Sequence, residues 1–445
     1  MSSRQIVITG VGPVSGLGLG IEPSWDRLTA GASALGPIEA FDASGFDSRI
    51  GAEVQGLKVR KIVPKSYRKA TKVMARDIEL AVAAADFAAR DAGLVTSGTD
   101  GDDAEPSYPP QRVGAQIGAG LIAADLDELT LALRESLDGD GGFDIHKWGE
   151  EGMNNLTPLW LLKYLPNMLA CHVTIIHQAK GPSNTITCNE SSGLLSLGES
   201  VRAMQRGVAD ACFCGGLESK LNPMAFLRQQ FAGRLNTQDN DRPGEAVRPF
   251  AQDAAGGAVG EGGGILILEA RDTWEQRPGA GEAYAIVAGF GASQTVNREA
   301  RNLRPDPEGR GIAGAIRAAL ADGSTSPDEI DLVVPFGCGD PDWDAAEASA
   351  LKSVLGERAA EVPIASTKPL AGNCVAGAGA LDLCLAAKAV REQRLPATIN
   401  CDAPLAGLEG ARTQPAREAE IRTALVYTTG IGGQNAAVVL RRLGG

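Results

Sequence analysis

Residues 181–193 read GPSNTITCNESSG, and the fold is decided by the pattern that begins just after Glu190 in this stretch. From there, apolar Leu194, Leu197, Val201 and Met204 recur at intervals of three and four, on one face of a helix starting near Ser191 or Ser192. That helix leads through Arg206 and Gly207 into ADACFCGG, residues 209–216, which reads as a strand. The local order is therefore strand, sharp turn, helix, strand, with Glu190 on the turn.

Working outward, apolar runs flanked by glycine read as buried strands at residues 5–9, 209–214, 264–268, 330–335 and 423–428. Segments of helical spacing lie between them, and this alternation argues for an α/β protein with largely parallel, covered sheets. The end of the chain differs: TALVYTT, GIGGQN and AAVVLRRL read as two strands around a glycine-rich turn, an antiparallel hairpin closing a mixed sheet. Residues 97–111, rich in Asp, Pro and Gly, and polar residues 236–245 read as surface loops. No short tandem repeat of solenoid type is present.

The 445 residues are enough for a large core, and 44% apolar with 22% charged residues is the balance of a globular protein. No apolar stretch approaches the roughly 20 residues of a membrane span, and a cytoplasmic location is expected. The eight cysteines lack the paired short spacing of a zinc site, so buried free thiols are expected, with no metal and no cofactor. A net charge of −13 argues against nucleic acid or anionic membrane as the main partner. Residues 58–76 run the other way, with eight basic side chains and no acid: either a solvated face or a landing patch for an acidic partner.

Five segments, IVITGVGPVSGLGLG, GPSNTITCNESSG, RPFAQDAAGGAVGEGGGILILE, STKPLAGNCVAGAGALDL and TGIGGQNAAVVL, occur in this order along almost the whole chain. Together they resemble the β-ketoacyl-ACP synthases, condensing enzymes of the thiolase fold. The resemblance implies two similar βαβαβ-type halves in a five-layered αβαβα arrangement, built as one compact unit and paired as a homodimer or heterodimer. The halves are expected at residues 1–270, with dimerisation or cap insertions at about 97–180, and 271–445.

Members of that family use one cysteine and two histidines. The cysteine comes nine residues after the glycine of the Gly-Pro pair, a count that reaches Glu190 in this chain; Cys188 is two positions early and would project elsewhere from the turn. The first histidine position falls in VVPFGCGDPDWDAAE on Phe336, with Asp344 and Glu347 at the subsequent acid positions. The second falls after Ser366-Thr367-Lys368 and Gly372, on Asn373. The only histidines are His146, His172 and His177, all N-terminal to Glu190, so none replaces a lost one from the second half. Structural roles are expected for them, as are a core role for Phe336 and an internal ion pair between Lys368 and Glu347.

A carboxylate is a poor acyl carrier, because its adduct would be a reactive anhydride. The family's oxyanion hole maps onto the backbone N–H groups of Glu190 and Ile431, with Gly432 in the adjoining gate. A helix N-terminus there favours an anion, so the Glu190 carboxylate is expected to fill the anion site, while burial works against its charge and leaves its charge state open. Three readings stay open. One is a condensation-inactive, chain-length-factor-like partner of fatty-acid or polyketide assembly, binding an acyl thioester or docking an acyl carrier protein through Lys65, Arg68, Lys69 and Lys72. The second is an enzyme repurposed around Glu190, Lys368 and Asn373 for thioester hydrolysis, acyl transfer or decarboxylation. The third is a purely structural subunit with a collapsed pocket.

Overall fold

The computed structural model describes residues 4–444. Its main strands are β1 (Ile6–Ser15), β2 (Val113–Gly118), β3 (Ser183–Ile186), β4 (Ala211–Ser219), β5 (Val259–Ala270), β6 (Ala285–Gln294), β7 (Leu332–Val334), β8 (Thr423–Thr429) and β9 (Gln434–Arg441). The main helices are α1 (Arg76–Asp91), α2 (Met168–His177), α3 (Ser192–Gln205), α4 (Pro223–Phe231), α5 (Arg310–Asp322), α6 (Pro341–Leu355) and α7 (Ala378–Glu392). Hydrogen bonding runs in the order β7-β8-β9-β6-β1-β5-β4-β2-β3. The two halves of this path meet only where Val7 and Ile8 of β1 face Ile286 and Ala285 of β6.

Helix α3 starts at Ser192, and Leu194, Leu197, Val201 and Met204 are all buried on its inward face. They share one core cluster with Leu381 and Leu385 of α7 and with strand residues from both halves, such as Cys214, Leu266, Val426 and Val438. Helices α1 and α2 cover the outer face of the first half, α5 and α6 that of the second. The result is helix, sheet, helix, sheet, helix: the thiolase-like α/β arrangement.

The sheet is mixed rather than largely parallel. Parallel pairing is confined to β3-β2-β4 and β7-β8 among these strands, whereas β1, β5, β6 and β9 pair antiparallel with their main-strand neighbours. Antiparallel strands β1, β5 and β9 are buried along almost their whole length, so direction leaves no mark on their pattern, whereas β6 alternates between buried and more exposed positions. The closing hairpin is antiparallel as expected, with Thr429 facing Asn435.

Three strands also extend well into glycine-rich sequence that reads as turns. The reason is close backbone approach, from a helix at β1 and from neighbouring strands at β4 and β5, where a Cβ at Gly215 would sit 2.1 Å from the Gly264 carbonyl oxygen and one at Gly262 2.0 Å from that of Val14. A Cβ at Gly12 would sit 2.1 Å from the Ala84 carbonyl oxygen of α1, and one at Gly10 would sit 2.3 Å from that of Ala88. Gly12→Ala is therefore expected to cost about 1–3 kcal/mol in urea unfolding, through overpacking of the β1–α1 contact.

Residues 97–180 are not simply an insertion, because they contain core strand β2 and helix α2. Residues 236–245 are not wholly surface either: Asn236 and Asp239 are buried, and Asp239 pairs with Arg242 and Arg248.

Candidate functional site

Strand β3 delivers the chain to a tight turn in which Asn189 takes a left-handed conformation (φ 48°) as the first residue of the 3-10 turn Asn189–Ser191. The C-terminal hairpin clamps this turn from the other half of the molecule. Asn189 Nδ2 donates to the Ile431 carbonyl at 2.8 Å, Ser191 Oγ to that of Gln434 at 2.9 Å, and Thr428 Oγ1 to that of Glu190 at 3.4 Å. Glu190 is thereby driven inward and is 0% exposed.

Its carboxylate does not turn to the helix N-terminus as expected. Oε1 accepts from Arg234 Nη1 at 2.6 Å and more weakly from Asn373 Nδ2 at 3.4 Å. Arg234, 5% exposed, donates its Nη2 to Gln229 Oε1 of α4 at 2.7 Å, which fixes the plane of the guanidinium. Burial opposes the charge of Arg234, but Glu190 leads a set of acidic neighbours that outweighs it, and the net effect raises its pKa. Asn373 is held in turn by the Val375 N–H on its Oδ1 at 2.9 Å. Glu190 Oε2 has no hydrogen-bond partner and lies against Gly430, where a Cβ would come within 2.1 Å of it.

Phe336 is fully buried, edge-on to Trp343 with ring centres 6.0 Å apart, and Ile431 packs on the same cluster. The acid positions brace the loop after Phe336. Glu347 accepts the Gly337 N–H at 3.0 Å, and Asp344 accepts those of Phe250 at 2.8 Å and Gly339 at 3.2 Å. Burial pushes the Glu347 carboxyl up to about 7, and burial together with Glu347 holds Asp344 well above its ordinary range.

The expected Lys368–Glu347 ion pair is not formed. Lys368 Nζ lies 2.5 Å from Asp382 Oδ2 of α7 instead, and acts on Glu347 only through space. Gly432, in the expected gate, donates its N–H to the Asn302 carbonyl at 3.0 Å. The void adjoining Arg234, Asn373, Gln229 and Cys338 holds about 10 Å³, the space of one water.

The other candidates fall elsewhere. His172 and His177 pack under α1 and bond Tyr67 and Thr96, each at 2.8 Å, while His146 is exposed on the helix Ile145–Glu150. Six of the eight cysteines are buried, Cys188 and Cys171 partly so, and all are free thiols. In the basic segment, Lys58, Arg60, Lys61, Lys65, Lys69 and Lys72 are exposed, and Arg68 is half-buried. Arg76 leaves the group, bonding Glu261 at 2.6 Å. Arg234 lies outside the five segments, and Asp382 lies at the end of the fourth with nothing in the spacing to mark it as a partner; a buried charge must nevertheless find one.

The sequence matches the β-ketoacyl synthase N-terminal domain over residues 3–273 and the β-ketoacyl synthase C-terminal domain over residues 284–402. The chain belongs to the β-ketoacyl synthase family. It is 30% identical to the 3-oxoacyl-[acyl-carrier-protein] synthase 2 of Coxiella burnetii over 450 residues, covering all of both chains. It is also 30% identical to the Vibrio cholerae synthase of the same name over 452 residues, again covering both chains in full. Among solved structures, it superposes at a TM-score of 0.83 and 25% identity on a chain of AntDE:AntF, described as a type II polyketide acyl carrier protein in complex with its ketosynthase; the match covers 99% of this chain and 100% of that one. The ishigamide ketosynthase/chain length factor matches at a TM-score of 0.82 and 26% identity over 100% of both chains. Of the three positions reached from the sequence, Glu190 and Phe336 are fully buried, and Asn373 is half-buried with its amide facing Glu190 Oε1.

Proposed function

We propose that this β-ketoacyl synthase relative is a condensation-inactive, chain-length-factor-like subunit of fatty-acid or polyketide assembly, formed of halves 1–270 and 271–445 in one unit. It pairs with a catalytically complete ketosynthase and receives the acyl carrier protein. The observation that carries this reading is the closed Glu190–Arg234 pair, buried beside space for about one water. A thioester has no room there, and neither partner is a nucleophile able to hold an acyl chain.

Pairing is supported by the surface. Ten of the sixteen exposed large apolar side chains among the described residues, including Leu131, Leu133, Phe143, Ile145, Leu159 and Leu161, lie within residues 121–161. Edge strand β3, half exposed, ends the sheet on the same half of the molecule. Carrier docking is supported by the six exposed lysines and arginines of residues 58–72, none of which is in an ion pair among the described residues.

The test is to incubate the protein with malonyl-ACP and acyl-ACP, alone and with a complete ketosynthase from the same source, and to follow carrier species by intact mass. Unchanged carriers with the protein alone, and altered product length with the partner present, are expected. Loss of malonyl or acyl groups by the protein alone, abolished in Glu190→Gln, would instead establish a repurposed enzyme. Reversing charge with Lys65→Glu, Lys69→Glu and Lys72→Glu together is expected to weaken carrier binding about tenfold at low ionic strength and far less at high salt. Equal affinities at both ionic strengths would remove the basic segment from the docking surface.

A further inference from the structure

We infer that Arg234, positioned by Gln229, and Asn373 form a carboxylate-binding site, and that Glu190 is its tethered ligand, keeping it filled against free carboxylates. The inference rests on the geometry of the pair and stands or falls independently of the proposed subunit role.

Each donor is set before the carboxylate arrives. The Arg234 guanidinium is anchored through Nη2 on Gln229 at 2.7 Å, leaving Nη1 to point at Glu190 Oε1 at 2.6 Å. The Asn373 amide is fixed through Oδ1 by the Val375 N–H, so its Nδ2 faces the same oxygen. Its backbone is pinned as well, the N–H donating to the Ala258 carbonyl at 2.8 Å and the carbonyl accepting from the Gly260 N–H at 3.0 Å. A charged donor held in this way is a receptor for an anion, whoever supplies it.

The second oxygen supports the distinction between a tethered ligand and an optimised structural pair. Glu190 Oε2 is buried without a hydrogen-bond partner, in contact with the bare backbone of Gly430. Only one of the two carboxylate oxygens is recognised. Tethering compensates, because an intramolecular ligand is present at high effective concentration and needs fewer contacts than a free one.

Truncation at Cβ makes the site testable. The atoms lost in Glu190→Ala are Cγ, Cδ and the two carboxylate oxygens, which are the heavy atoms of acetate. Arg234 is then stranded without its counter-charge, and a melting temperature on the order of 5 °C below the parent protein is expected. Sodium acetate titrated to about 0.2 M is expected to restore at least half of that loss, as binding to the folded form alone requires.

Sodium chloride at matched ionic strength and acetamide at the same concentration should not do so. The parent protein and Glu190→Gln, whose site is already filled, should show no acetate-specific shift. The double variant Glu190→Ala with Arg234→Met should melt above Glu190→Ala alone and ignore acetate. If Glu190→Ala is insoluble, refolding yield carries the same comparison, with recovery in acetate but not in chloride. Rescue equal in acetate and chloride, no rescue at all, or an acetate response that survives loss of Arg234 would each overturn the inference.

Discussion

Lys368→Met will destabilise the protein by about 3–5 kcal/mol in urea unfolding, an effect on folding alone that needs no substrate contact. The Lys368 ammonium lies 2.5 Å from Asp382 Oδ2, and both side chains are 1% exposed. Thr367 Oγ1 donates to the other oxygen at 2.6 Å. Burial raises the Asp382 carboxyl above its ordinary range, and Lys368 is the main force pulling it back down. Without the ammonium, a carboxylate is left in the middle layer with one hydroxyl for company. Replacing both, Lys368→Met with Asp382→Leu, is expected to recover much of the loss, since a well-packed apolar pair is often as stable as a buried ion pair. A single variant within about 1 kcal/mol of the parent would mean that the pair contributes little.

The second large effect is on pH. Glu347 and Asp77 are buried carboxyls pushed up to about 7, in both cases by burial first. In the unfolded chain they titrate at ordinary values, 4.5 and 3.8. The folded chain therefore keeps protons that the unfolded chain has released, and stability present at low pH is lost as pH rises from about 4.5 through about 7. For Glu347 alone the loss reaches about 3 kcal/mol. His177 acts in the opposite sense, because burial lowers it to about 3 and only the unfolded chain takes up its proton below the usual imidazole value. The measurement is thus a difference: unfolding free energy at about pH 5 and about pH 8 for the parent and for Glu347→Gln. The fall should be smaller in the variant by up to about 3 kcal/mol, and an identical fall would show that Glu347 is ionised throughout.

Much of the architecture was legible because it rests on periodicity. The spacing of Leu194, Leu197, Val201 and Met204 marks α3 and its buried face, and the glycine turn between two apolar runs marks the closing hairpin. Strand direction and strand ends were not legible. Burial on both faces of β1, β5 and β9 erases the alternation that marks antiparallel strands, and glycines that admit α1 against β1 look like turn residues in the sequence. The candidate site divided in the same way. Glu190 and Asn373, which the structure brings within 3.4 Å of each other, were both reached by counting from motifs. Arg234 could not be, because an ion pair between residues 44 positions apart leaves no local spacing to read. The Lys368 partner was hidden for a related reason, since Glu347 and Asp382 are both buried acids close to the same loop and no spacing chooses between them.

The contact between Arg234 and Glu190 also constrains the paths by which this sequence can change. A step to cysteine at position 190 strands a buried guanidinium, and loss of Arg234 first strands a buried carboxylate. Either order passes through an intermediate about 3–5 kcal/mol less stable, a large part of the stability of an ordinary domain. Gly430 tightens the constraint, because no side chain fits there while Oε2 occupies the space. Such a pair acts as a ratchet: once both charges are in place, single substitutions at either position are disfavoured for folding alone.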